Sequence, residues 1–185
     1  MKQLHFTTTH RDHLIALLAA LAITIHIIES AFPSPLPGIK PGLANVITLI
    51  AFMLYGWKLA LQVSLLRVVI SSLLLGTFLS PTFLLSLSGA LLSLLSLALI
   101  QLPFRRRLHH QPGAIGYAII ASVSHMSGQF MVAWYFFIPH PGLFKLLPVF
   151  ITFAVLLGIV SGIITQFVLK QLHLTTHQPF KLSDR

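Results

Sequence analysis

The sequence predicts an all-α integral membrane protein with six transmembrane helices and both termini in the cytoplasm. Three observations lead there. Of 185 residues, 56% are hydrophobic and only 8% are charged, where a soluble domain carries about a quarter. The mean hydropathy is +0.90. The apolar residues fall into runs near the roughly 20 residues that cross a bilayer as a helix. Disorder needs low hydrophobicity and high charge, and is excluded. The length is that of one domain: a cytoplasmic segment over 1–13, a six-helix bundle over 14–170 and a cytoplasmic tail over 171–185. There are no cysteines, so neither disulfides nor thiol chemistry enter.

The first span covers 14–32. Its basic start and apolar centre have the form of a signal peptide. Glu29 interrupts the run, however, and no small-x-small cleavage site follows, so the segment reads as a retained helix. The second span, 43–57, is short; without it the termini would fall on opposite sides. The third covers 59–79 and carries Arg67. The fourth covers 83–102, the fifth 114–138 with His125, and the sixth 146–169. The connections between them are rich in Pro and Gly, as at 33–42, 80–81 and 139–142.

The basic residues test this count. The formal net charge is +9 and the pI about 10.8. A nucleic-acid binder gathers such charge on a soluble face; here it lies between apolar runs. Six spans place Lys2, Arg11, Lys58, Arg105, Arg106, Arg107, Lys170, Lys181 and Arg185 on one side, and Lys40 and Lys145 on the other. Nine against two puts both ends inside.

Ionisable residues within spans are costly and point to function. His26 and Glu29, three apart, share a face of the first helix. Ser64, Arg67 and Ser71 form one stripe in the third, and Ser122, His125 and Gln129 repeat its spacing in the fifth. Lipid satisfies none of these groups, so they converge on an interior cavity. With the termini inside, Glu29, Asn45, Thr48, Ser71 and Gln129 lie in the outer half, and Arg67 and His125 near mid-membrane. The loop 33–42 above them has four prolines, which restrict its backbone, and one charge, Lys40. The expected substrate-binding set is His26, Glu29, Lys40, Asn45, Arg67, Ser71, His125 and Gln129, for a polar or anionic ligand. The bland alternative is a structural Glu29–Arg67 pair and a hydrogen-bonded core histidine at 125.

No catalytic residue is expected. Prenyl-diphosphate synthesis needs paired Asp clusters to hold magnesium, and a P-loop is missing from the sequence. His26-x-x-Glu29 supplies two metal ligands, too few for a site. Neither metal nor cofactor is expected. Small residues make a second pattern. Ala16 and Ala20 form a small-x-x-x-small pair, about 130° around the helix from His26 and Glu29. Gly158 and Gly162 repeat it in the sixth span, and Ser86, Gly89, Ser93 and Ser96 mark the fourth; both read as bundle packing.

The run Glu29-Ser-Ala-Phe-Pro-Ser-Pro-Leu-Pro-Gly-Ile-Lys-Pro-Gly-Leu-Ala-Asn45 and the later run from Leu74 to Ala90, Leu-Leu-Gly-Thr-Phe-Leu-Ser-Pro-Thr-Phe-Leu-Leu-Ser-Leu-Ser-Gly-Ala, carry a family resemblance. The chain resembles the Gx transporter family, also labelled heptaprenyl diphosphate synthase component I, over nearly all of 14–170. That family looks like the substrate-binding (S) components of energy-coupling factor (ECF) transporters. The resemblance implies six helices, a ligand site near the outer side and no ATPase of its own. It also implies a bacterial inner-membrane location and docking onto a transmembrane coupling subunit driven by two ATPases. Ala16 and Ala20 match the docking motif in position and spacing. The expected function is therefore substrate capture for an ECF-type importer. Two alternatives stand beside it. One is a non-catalytic membrane subunit linked to isoprenoid or quinone synthesis. The other is a solitary ion-coupled carrier in which Glu29 titrates.

Overall fold

A computed structural model describes residues 9–31, 42–104 and 112–175. The secondary structure of the described residues is helices joined by turns, with no strand. Its α-helices are α1 (His10–Ala31), α2 (Leu43–Tyr55), α3 (Trp57–Leu74), α4 (Pro81–Phe104), α5 (Ala114–Val132) and α6 (Leu147–Thr175). A π-helical turn over Ala133–Phe137 extends α5, and a 3-10 turn over Pro141–Leu146 leads into α6. Four segments are long and apolar enough to cross a membrane: His10–Ala31, Trp57–Leu74, Pro81–Leu102 and Pro141–Leu172. The 13 residues of α2 reach only about 20 Å at 1.5 Å per residue, short of a 30 Å hydrocarbon core. The polar stripe of α5 dilutes its apolar character, since it carries Ser122, Ser124, His125, Ser127 and Gln129 within two turns.

Helix ends depart from the expected ones for identifiable reasons. The second span breaks at Gly56, where φ is 81° and ψ 178°. That region is essentially reserved for glycine, so Trp57, the expected end of the second span, opens α3 instead, and Lys58, expected between the spans, follows it in the helix. The third span stops at Leu74, five residues early. Gly76 takes a left-handed φ of 67°, and the Thr77 N–H donates back to the Ser72 carbonyl at 2.8 Å, a glycine-centred helix stop. Ser80 then caps α4, its hydroxyl accepting from the Phe83 N–H at 3.4 Å. The fifth span changes to π geometry after Val132, and α6 runs on to Thr175. The loops 33–41 and 105–110, with Lys40, lie outside the described residues.

The bundle has two unlike halves. At one end the C-terminal half of α2, the start of α3, the end of α4 and the start of α5 close a dry core. Leu49, Phe52, Leu59, Ala60, Val63, Leu94, Leu97, Tyr117 and Ala118 are all buried there. The Phe52 and Tyr117 rings meet edge to face at 5.6 Å. Glycines bring backbones together along α5. A Cβ at Gly162 would lie 2.6 Å from Ile115 Cα, one at Gly158 2.9 Å from Ile119 Cα, and one at Gly128 2.7 Å from the Ser88 carbonyl oxygen. The small residues of α4 and α6 thus seat α5 between those helices. The outside is apolar. On α6, Val149, Phe153, Leu156, Val160, Ile163 and Phe167 are exposed at alternating spacings of four and three, a continuous stripe suited to lipid and not to water.

Candidate functional site

The other half of the bundle holds a cavity of about 660 Å³, in the range of small-molecule sites. It lies where α1, α3 and α5 end and α2, α4 and α6 begin. Its walls include His26, Glu29, Asn45, Arg67, Ser71, His125 and Gln129. Seven of the eight expected site residues are therefore neighbours around one space; the eighth, Lys40, lies outside the described residues. The stripes read from the sequence account for this, because Ser64, Arg67 and Ser71 are all buried on one side of α3. Ser122 and Ser86 join the lining.

Glu29 is 5% exposed, and its carboxylate accepts from the backbone N–H groups of Leu43 and Ala44. It caps α2. A helix starting at this depth leaves orphan N–H groups, and a carboxylate there meets both the donors and the positive end of the helix dipole. The capping partner lies 14 residues on, across the loop, which sequence spacing does not reveal. Arg67, 4% exposed, donates from Nη1 to the Asn45 side-chain oxygen at 2.7 Å. Among the described residues no ion pair joins Glu29 to Arg67: the carboxylate contacts the α2 backbone and the guanidinium contacts Asn45. The Arg67 Nε is buried without a hydrogen-bond partner among the described residues. Ser71 donates its hydroxyl to the Arg67 carbonyl.

On the opposite side, the Gln129 amide nitrogen lies 3.2 Å from His125 Nε2, one turn along α5. The imidazole rests against Gly89 of α4, where a Cβ would come within 2.8 Å of the ring. The glycine is thus the hole that admits the histidine. Below the cavity, Thr48 Oγ1, Ser64 Oγ and the Tyr117 hydroxyl are buried with no partner among the described residues.

The sequence profile of the heptaprenyl diphosphate synthase component I family matches residues 18–168. The chain belongs to that family. No curated protein matches it. The fold of this family member is that of a solved S component of a bacterial ECF transporter. The two share 19% identity at a TM-score of 0.68, over 91% of this chain and 98% of that one. It is a membrane protein by its apolar helices and by that likeness of fold.

Sequence reasoning missed one wall. Leu143, Leu146, Phe150, Ala154 and Leu157 of the 3-10 turn and α6 line the cavity. Apolar residues on a membrane helix suit lipid and cavity equally, so no signal marks them. Of the small residues expected to dock, Ala16 and Ala20 are exposed on α1, while Ala19 and Ala22 beside them are buried. No groups of three or more metal-ligating side chains occur among the described residues.

Proposed function

We propose that this chain is the substrate-binding component of an ECF-type importer in the inner membrane of a bacterium. It crosses the bilayer six times with both termini inside and takes a small polar or anionic molecule from the outer side. One observation carries the reading: the costly polar residues of five helices line a single cavity at one end of the bundle. The likeness of fold to a transporter S component supports it. His26, Asn45, Arg67, Ser71, His125 and Gln129 are the proposed ligand contacts. Glu29 is the proposed holder of the α2 wall, and Lys40, in the loop 33–42, a further proposed contact. The chain does no chemistry of its own. Import is energised by a transmembrane coupling subunit and ATPases, with Ala16 and Ala20 as the docking face. Small exposed residues there let a partner helix come close, which in lipid is what drives helix association.

The test separates capture from energisation. Ala16→Trp with Ala20→Trp is expected to abolish uptake in cells while leaving ligand binding in detergent intact, since both alanines are exposed. Full uptake by the double variant removes the docking face. Loss of binding as well means the face packs within the bundle. The family's own description favours a second reading, a non-catalytic membrane subunit of isoprenoid synthesis. Mass spectrometry of the molecule that co-purifies distinguishes the two, a prenyl diphosphate supporting the second.

A further inference from the structure

The cavity walls are chemically sorted. Of the ten lining residues from α1 to α4, seven are polar, among them Asn45, Arg67 and Ser71; of the six from the 3-10 turn and α6, only Ser161 is. The remaining face, from α5, grades from His125 and Gln129 to Phe130. A uniformly hydrophilic ligand would leave its hydroxyls against Leu143, Phe150 and Leu157 without partners, and unpaired buried polar groups are costly. A wholly apolar ligand would strand the opposite wall.

Charge narrows the class further. Two charged side chains line the cavity among the described residues, Arg67 and Glu29. The carboxylate is committed to the N-terminus of α2. The guanidinium has given one nitrogen to a neutral amide and keeps a buried Nε without a partner. A buried cation is stable only when paired, and a guanidinium edge matches one oxyanion in shape. A single cation does not balance a polyphosphate.

Resting on the proposal that this cavity binds the imported molecule, we infer that the ligand is amphipathic, with one oxyanionic group held at Arg67 and an apolar body laid against the 3-10 turn and α6. The polar rim supplied by Asn45, His125 and Gln129 orients the anionic end, and the hydrophobic wall supplies most of the affinity.

The test uses the full-length protein in lipid nanodiscs, with equilibrium dialysis corrected against empty discs. Three probes are compared: para-butylbenzoate, para-butylbenzyl alcohol with the same body and no charge, and gluconate with the same charge and no apolar body. The benzoate is expected to bind saturably and about tenfold or more tighter than either comparator, a difference worth at least one charge-assisted contact. Arg67→Gln should erase the preference for benzoate over alcohol, and Arg67→Lys should keep its direction. Phe150→Asn should weaken benzoate without restoring gluconate. Gel filtration and melting confirm that each variant folds. Gluconate binding as tightly as benzoate, no saturable benzoate binding, or a preference that survives Arg67→Gln overturns the assigned class. Saturable binding untouched by Arg67→Gln, Phe150→Asn and His125→Ala together means the ligand sits outside the cavity, and the proposed function loses its site.

Discussion

A carboxylate inside a membrane helix demands a reason, and at Glu29 the reason is the start of the next helix. Its two oxygens take the N–H groups of Leu43 and Ala44, donors that neither lipid nor a preceding helical turn can satisfy. Removing a capping side chain costs about 0.5–2 kcal/mol, and the charge–dipole part alone about 0.3–1 kcal/mol. Glu29→Ala should therefore lower the melting temperature in detergent, and Glu29→Gln, which keeps an acceptor, should lower it less. Loss of ligand binding with unchanged melting would instead make Glu29 a direct ligand contact. The residue was legible in the sequence as unusual and its role was not, because the cap joins positions 14 apart through a loop. Arg67 and His125 were more legible: each lies on a polar stripe whose spacing assigns it a face. What the stripes do not encode is the partner on another helix, Asn45 for Arg67 and Gly89 for His125.

At the level of elements, glycines set both the boundaries and the contacts, by two different mechanisms. Gly56 joins α2 to α3 with nothing within 4 Å of where a Cβ would stand. Its cost on substitution is purely conformational. Gly56→Ala should destabilise the protein by about 1–3 kcal/mol, the range for a residue held in such a region. Gly162 is helical, and a Cβ there would come 2.6 Å from the Ile115 backbone. Gly162→Ala should also destabilise, by about 1–3 kcal/mol, but by forcing α5 and α6 apart. Spin-label distances distinguish them. Labels at Met131 of α5 and Val160 of α6, both exposed, should report a longer separation on Gly162→Ala and not on Gly56→Ala. Equal changes for both would sink the distinction. The apolar runs made the helices readable; their ends were not. A glycine within an apolar run costs only about 1 kcal/mol in a helix, so composition alone leaves open whether it packs, as at 162, or breaks, as at 56.

On the scale of the whole molecule, ordinary side chains mark two opposite ends. At the packed end Tyr55 and Trp57 are exposed where α2 meets α3. At the cavity end Trp134, Tyr135 and Phe144 are exposed around the corner from α5 to α6, with the Trp134 and Phe144 rings 5.4 Å apart. Aromatic residues of this kind sit at the two interfaces of a bilayer. The exposed cations are unequally divided between those ends. Arg11, Lys58 and Lys170 belong to the packed end and Lys145 to the cavity end, among the described residues. Positive charge favours the cytoplasmic side, so the cavity should open outward, as an importer requires. The chain has no cysteine, which makes single-cysteine labelling clean. In intact cells an impermeant maleimide should label Lys145→Cys, and should reach Lys58→Cys only after permeabilisation. Both positions are exposed beside an aromatic belt, so neither should fail through burial. The reverse pattern would turn the cavity toward the cytoplasm and leave the import reading without an entrance. Labelling of both in intact cells would place the α2–α3 corner outside as well, which means that the short α2 does not complete a crossing and that the six-span count fails with it.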